Sequence, residues 1–185
     1  VSEMGRKLDV IPATTDLYRL SPWEYIEATL RNQGRARFAE DGNVVTEEGA
    51  PWIGGNPFPD PQSATEIFAG ATLSWGRHDV SLYAVKEYDL DPNGKVAYEY
   101  QSCWVEMNAT GRLVLDPQPY MKGHEDKLRF QSVFFLTPSD TRGTSYHNIW
   151  PYDQNRYPEL YGYLPAFKRV RRFPTNQRFE PMIPG

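Results

Sequence analysis

From Asp79 to Phe173 the chain alternates apolar and polar residues in short runs cut by turn-forming clusters, and nothing else in it restricts the fold as much. Asp91-Pro92-Asn93-Gly94, Asn108-Ala109-Thr110-Gly111 and Pro138 to Gly143 are the cuts, rich in residues that preset φ or accept positive φ. Successive side chains of an extended strand point to opposite faces, so Val96, Tyr98, Tyr100 and Trp104 share one face while Lys95, Glu99 and Gln101 share the other. Leu128, Phe130, Phe134 and Leu136 repeat the pattern against Lys127, Arg129 and Gln131. TSYHNIW (144–150), the stretch around Tyr161 and Tyr163, and FKRVRRF (167–173) continue it with mixed polarity. The expectation is an antiparallel meander with one dry face and one wet face. The 5 Trp, 12 Tyr and 9 Phe, at a mean hydropathy of −0.64, suit half-wet strands better than a parallel sheet buried on both sides.

Helical signals come before the meander. Ser21-Pro22-Trp23-Glu24 has the form of a capping box with proline at the first helical position, and Trp23, Ile26 and Leu30 follow at helical spacing until Gly34. RARFA and VVT flank Glu40-Asp41-Gly42-Asn43 as a hairpin would. Ser63-Ala64-Thr65-Glu66 is a second capping box, with Ile67, Phe68 and Ala71 on one stripe and Leu73 and Trp75 near the helix end. Between hairpin and second helix runs GGNPFPDP (54–61), whose three prolines bias Asn56, Phe58 and Asp60 away from helix and hold Phe58 in a stiff extended loop. Phe58 then either plugs one end of a core or stands at the mouth of a cleft.

Area decides the expected architecture. About seven or eight antiparallel strands with a continuous apolar face exceed what two short helices cover on a flat sheet. The sheet is therefore expected to curl into an unclosed half-barrel, mainly β, with the helices as a lid over an aromatic hollow. The length suggests one domain, residues 1–185.

Composition removes several functions. The net charge of −4 gives no global basic field, so no nucleic-acid partner is expected. Cys103 is the single cysteine, which forbids an internal disulfide and a cysteine-based zinc site. It sits beside Trp104 in a strand and reads as a buried inert thiol, because activation needs a basic or helix-end neighbour. His78, His124 and His147 form no H-x-x-x-H or H-x-H pair, and Gly123-His124-Glu125-Asp126 reads as a surface turn rather than a metal site. There is no G-x-S-x-G and no glycine-rich phosphate loop. The chain is read as a non-enzyme that needs no cofactor and no metal.

GGNPFPDP (54–61), SATEIFAG (63–70) behind it and YLPAFKRVRRFP (163–174) together resemble a bacterial cell-envelope family of unknown function, DUF 1329, often described as outer-membrane lipoprotein-sorting-protein-like. In that family a Gly-Gly-x-Pro-Phe-Pro loop leads into a helix and a later Tyr-Leu-Pro segment runs into an Arg-rich strand. The resemblance spans about Trp52 to Pro174, with the first fifty residues matching loosely. It implies a fold like the periplasmic lipoprotein carriers, an exported protein of the periplasm or cell envelope, and the binding or carrying of a lipid or other hydrophobic ligand. An envelope transporter is the implied partner. Family members are longer and continue past the Arg-rich strand, so the resemblance also implies a fragment or shortened member. Ala166-Phe167 departs from the family pattern, and Phe167 is expected to narrow the cavity.

The ligand-binding candidates that follow are Phe58, Phe68, Trp75, Tyr98, Tyr100, Trp104, Phe130 and Phe134 for the apolar hollow, with Arg169 and Arg171 at its rim. The aromatics serve equally as plain core, and the arginines as a solvated strand paired to acids or stacked on tyrosines. On the rim, a guanidinium fork suits a lipid phosphate or carboxylate. The alternative function is an interaction protein whose open sheet edge pairs with a partner chain or with a second copy of itself.

Overall fold

Turn chemistry sets the order of the strands. In the computed structural model, which describes residues 21–74 and 78–174, a short hairpin of β1 (Arg37–Phe38) and β2 (Val44–Val45) precedes a separate antiparallel sheet of six strands. These are β3 (Val80–Leu90), β4 (Val96–Asn108), β5 (Lys127–Thr137), β6 (Ser145–Pro151), β7 (Glu159–Leu164) and β8 (Arg169–Phe173). They lie side by side in sequence order, so β3 and β8 form the two ends of an unclosed sheet. The β3–β4 turn shows why: the Asp91 carboxylate accepts the Asn93 and Lys95 amides, both at 2.8 Å, and Gly94 takes the φ of +78° that closes it.

Two ten-residue helices accompany the sheets, α1 (Trp23–Asn32) and α2 (Ala64–Leu73). The second begins as the sequence predicts: Ser63 Oγ accepts the Glu66 amide at 3.2 Å, and Glu66 Oε2 reaches back to the Gln62 amide. The first does not. Pro22 occupies the cap position itself, no side chain caps the helix, and Ile26 N–H bonds the Pro22 carbonyl at 3.2 Å. The predicted apolar stripe of α1 is also displaced, because Trp23 and Leu30 are exposed while Ala28 and Asn32 are buried.

The proline loop is clamped to α1 by polar contacts. Asn32 Nδ2 donates to the Gly54 carbonyl at 3.0 Å, and the Asn56 amide donates to Thr29 Oγ1 at 2.9 Å. Gly55 lies so close to this helix that a Cβ there would stand 2.5 Å from the Thr29 nitrogen. Trp52 is 1% exposed, its indole donating to the Gly55 carbonyl at 2.7 Å and its amide to the Tyr152 hydroxyl at 2.7 Å. Tyr152 in turn donates to the Val44 carbonyl at 2.6 Å, and its burial pushes the phenol far above the usual range. Loop, hairpin, α1 and the segment after β6 are thus one polar-laced unit.

Register divides the six-stranded sheet into two unequal faces. Trp104 pairs with Val133 and Val133 with Tyr146, while Glu106 pairs with Gln131 and Gln131 with Asn148. These residues, with Tyr100, Ser102, Phe135, Leu160 and Gly162, form the covered face. The other face carries Leu82, Phe134, Leu136 and Val170, all largely exposed. The predicted dry and wet faces of β5 are therefore reversed: Gln131, Val133 and Phe135 are buried, and the Phe134 and Leu136 side faces outward.

Candidate functional site

The covered face is the candidate site, and an aromatic row crosses it. Tyr98 lies 6.3 Å from Tyr100, Tyr100 meets Phe135 edge-on at 6.5 Å, Phe135 meets Tyr146 at 6.3 Å and Tyr146 meets Phe173 at 6.1 Å. Gly162 of β7 makes the last contact possible. A Cβ there would stand 2.5 Å from Phe173 Cε2 and 3.1 Å from Tyr146 Cδ1. Trp104 lies on the same face, half-buried, with its indole N–H donating to Ser102 Oγ at 3.1 Å.

A second row on the same face is polar, and its cross-strand line runs on through Leu160 to Phe173, where the diagonal aromatic row meets it. Asn148 Nδ2 donates to Gln131 Oε1 at 3.4 Å and Gln131 Nε2 donates to Glu106 Oε1 at 2.9 Å. The Glu106 carboxylate accepts only, so it orients both amides and leaves Asn148 Oδ1 as an acceptor with no donor among the described residues, at 1% exposure. At the β3 end, Glu87 faces Tyr100 and Asp89 faces Tyr98. Burial, with a contribution from Asp89, holds the Glu87 carboxyl above its ordinary range, and one of its oxygens is buried without a hydrogen bond.

The ten predicted residues do not converge. Tyr98, Tyr100 and Trp104 share the covered face with Arg169 and Arg171, whose β8 positions pair with Leu164 and Gly162. Both arginines are exposed. Phe130 and Phe134 stand on the opposite face, Phe130 between the rings of His124 at 5.2 Å and His147 at 6.1 Å. Phe58 stacks on Phe38 of the hairpin at 5.1 Å, which makes it a plug within the small unit. Phe68 is 73% exposed on α2, and Trp75 lies outside the described residues. Phe167 narrows nothing: it is exposed on a single 3-10 turn (Pro165–Phe167), after which Lys168, at φ +47°, starts a new strand direction. Cys103 is half-buried on the outward face rather than enclosed.

Sequence reasoning missed the polar row, because Glu106, Gln131 and Asn148 look like wet-face residues until register is known. It also missed an anchor at the start of β3. Asp79, 5% exposed, accepts the amides of Leu113, Val114 and Leu115 at 2.8, 2.8 and 2.6 Å. Arg112 closes the same loop by donating to the carbonyls of Asn108, Leu115 and Asp116. On the outward face Ser132 Oγ and His147 Nδ1 lie 2.7 Å apart, and burial lowers the imidazole pKa, so the ring is neutral near pH 7.

Two cavities, of about 220 and 200 Å³, open elsewhere, around the segment joining β6 to β7. Neither is lined by a predicted ligand-binding residue. Among the described residues no group of three His, Cys, Asp or Glu side chains is placed to hold a metal ion, and no helix is long and apolar enough to cross a membrane.

Comparison with known proteins gives no match among curated proteins and none among solved structures. The profile of one family, described as a protein of unknown function, matches residues 1–184. With that match running over nearly every residue, including the proline loop, the sheet and its two rows, the chain belongs to the DUF1329 family.

Proposed function

We propose that this protein binds a hydrophobic or amphiphilic small molecule, without catalysing a reaction, and that it does so at the bacterial cell envelope. The observation that carries the reading is the state of α2. Ile67 and Phe68 of that helix are 58% and 73% exposed, and only Gly70 is buried, against Asn56 Oδ1. An apolar helix that buries almost none of itself presents an apolar surface that a ligand would cover, and Tyr83 and Tyr98 are further exposed aromatics on the covered face of the sheet. Each Å² of apolar surface so covered contributes about 25 cal/mol. The polar row in the floor supplies orientation, since Asn148 Oδ1 accepts a donor that a hydroxyl- or amine-bearing ligand has and a plain hydrocarbon lacks. The envelope location rests on what the resemblance of the proline loop and the Tyr163 to Pro174 segment to a bacterial cell-envelope family implies.

Organic extraction of the purified protein, followed by mass spectrometry, tests this. A co-purifying amphiphile that competes with a fluorescent fatty-acid probe is the expected result. A protein that carries nothing and binds no probe rejects the reading.

A second reading has its own support. Strand β3 ends the sheet, and its eleven residues offer an unpaired edge among the described residues, with Leu82, Tyr88 and Leu90 exposed along it. Strand addition by a partner chain or a second copy would use that edge. A stable oligomer with no extractable ligand favours it.

A further inference from the structure

We infer that the 200 Å³ cavity between β5, the β6–β7 connection and β8 is a binding site for a phosphate group, on the face of the sheet opposite the aromatic row. Three cations line it, Lys127, Arg156 and Arg172, with Ile149 and Tyr157 as apolar wall and Glu159 as the single carboxylate. Strand alternation explains how it is built. Arg172 pairs with Tyr161 and so projects away from Arg169 and Arg171, onto the side that Ile149 and Glu159 share through their own pairing.

The donors are incompletely used. Lys127 Nζ bonds Asp126 at 2.8 Å and is 19% exposed, leaving two of its three ammonium hydrogens. Arg172 reaches Glu159 at 3.4 Å through one nitrogen and lies over the Tyr161 ring at 6.0 Å. Glu159 is itself occupied, because the Tyr161 hydroxyl also donates to it at 2.8 Å. The Arg156 guanidinium makes no hydrogen bond or close ion pair among the described residues, although its charge helps to hold the Asp126 and Asp153 carboxyls below their ordinary range, and its backbone amide donates to the Asp153 carbonyl at 3.1 Å. Inside the cavity Glu159 offers two oxygens, with Asp126 taking one Lys127 hydrogen from outside it, whereas a phosphate has enough oxygens to meet the remaining ammonium hydrogens and two guanidinium forks together. The site is independent of whether the aromatic face binds a hydrophobe.

Isothermal titration of inorganic phosphate into the full chain at low ionic strength, against a chloride control, is the test. Saturable binding is expected, weakened at least about tenfold by Arg156→Ala and by Lys127→Met, each checked for folding by circular dichroism. Arg156 is exposed in a connection, so its removal leaves the sheet intact. Flotation with phosphatidylglycerol vesicles separates the two sources of the group. Arg156-dependent flotation that phosphate competes away supports a lipid headgroup, and phosphate binding without flotation supports a soluble phosphate ester. Absence of saturable phosphate binding, or an equal loss in Arg171→Ala on the other face, overturns the site.

Discussion

Trp104 stands opposite Val133 in the β4–β5 ladder, and this places the Phe134 ring, one residue on, at the far side of the sheet. Two aromatics separated by one strand spacing therefore serve different surfaces. If the covered face is where a hydrophobe binds, Trp104→Ala should weaken a fluorescent fatty-acid probe by about tenfold or more, the loss of one large apolar contact. Phe134→Ala, on the outward face at 45% exposure, should leave the probe affinity within about twofold. Equal effects from both would mean that the probe reads general surface stickiness.

Gly162 is the point where the aromatic row has no room for a side chain. Its ideal Cβ would meet the Phe173 ring at 2.5 Å and the Tyr146 ring at 3.1 Å, so Gly162→Val must push one ring off its position. Overpacking of this kind costs about 1–3 kcal/mol. Urea unfolding should show the loss, and the double variant Gly162→Val, Phe173→Ala should recover part of it, since the second change removes the obstructing ring.

The fold was legible because it rests on local chemistry. The Asp91 to Gly94 turn, the Ser63 cap and strand alternation each act over a few residues, and together they give an open antiparallel meander with two helices. What escaped was register and what covers each face. Gln131 and Phe134 belong to one strand, and only the pairing of Glu106 with Gln131 and Asn148 reveals that the polar residue is inside and the aromatic outside. Arg172 was equally hidden among its neighbours Arg169 and Arg171, because its role depends on Tyr157 and Arg156, contributed by a separate connection. Asp79 gave no signal either, since its three partners lie more than thirty residues away.

That same Asp79 should be among the most sensitive single positions. Asp79→Ala would leave three amide donors of a part-buried loop without their acceptor, and no other carboxylate among the described residues bonds the Leu113 to Leu115 amides. Hydrogen bonds to charged groups contribute about 1.5–3 kcal/mol each and are not additive, so a loss of about 3 kcal/mol is expected. Thermal unfolding measures it. Asp79→Asn, which keeps one acceptor oxygen, should lose less; if both variants unfold like the parent, the loop is held by other contacts, of which Arg112 is the first to suspect.

His147 makes stability depend on pH in a defined direction. Burial against β5 lowers its folded-state pKa below the ordinary value of 6.5, and its Nδ1 shares a hydrogen with Ser132 Oγ at 2.7 Å. A depressed folded pKa means that the unfolded chain takes up the proton first as pH falls. The stabilising contribution is therefore complete above about pH 6.5 and is lost as pH drops through the folded pKa. Glu87 acts oppositely: its raised carboxyl favours the fold below 4.5 and loses that advantage as pH climbs through its folded value. Urea midpoints of the parent should consequently fall between pH 7 and 5.5, and His147→Gln should flatten that interval. A parent curve already flat between those values, or a His147→Gln curve as steep as the parent, would show that the imidazole is hydrated in the folded protein.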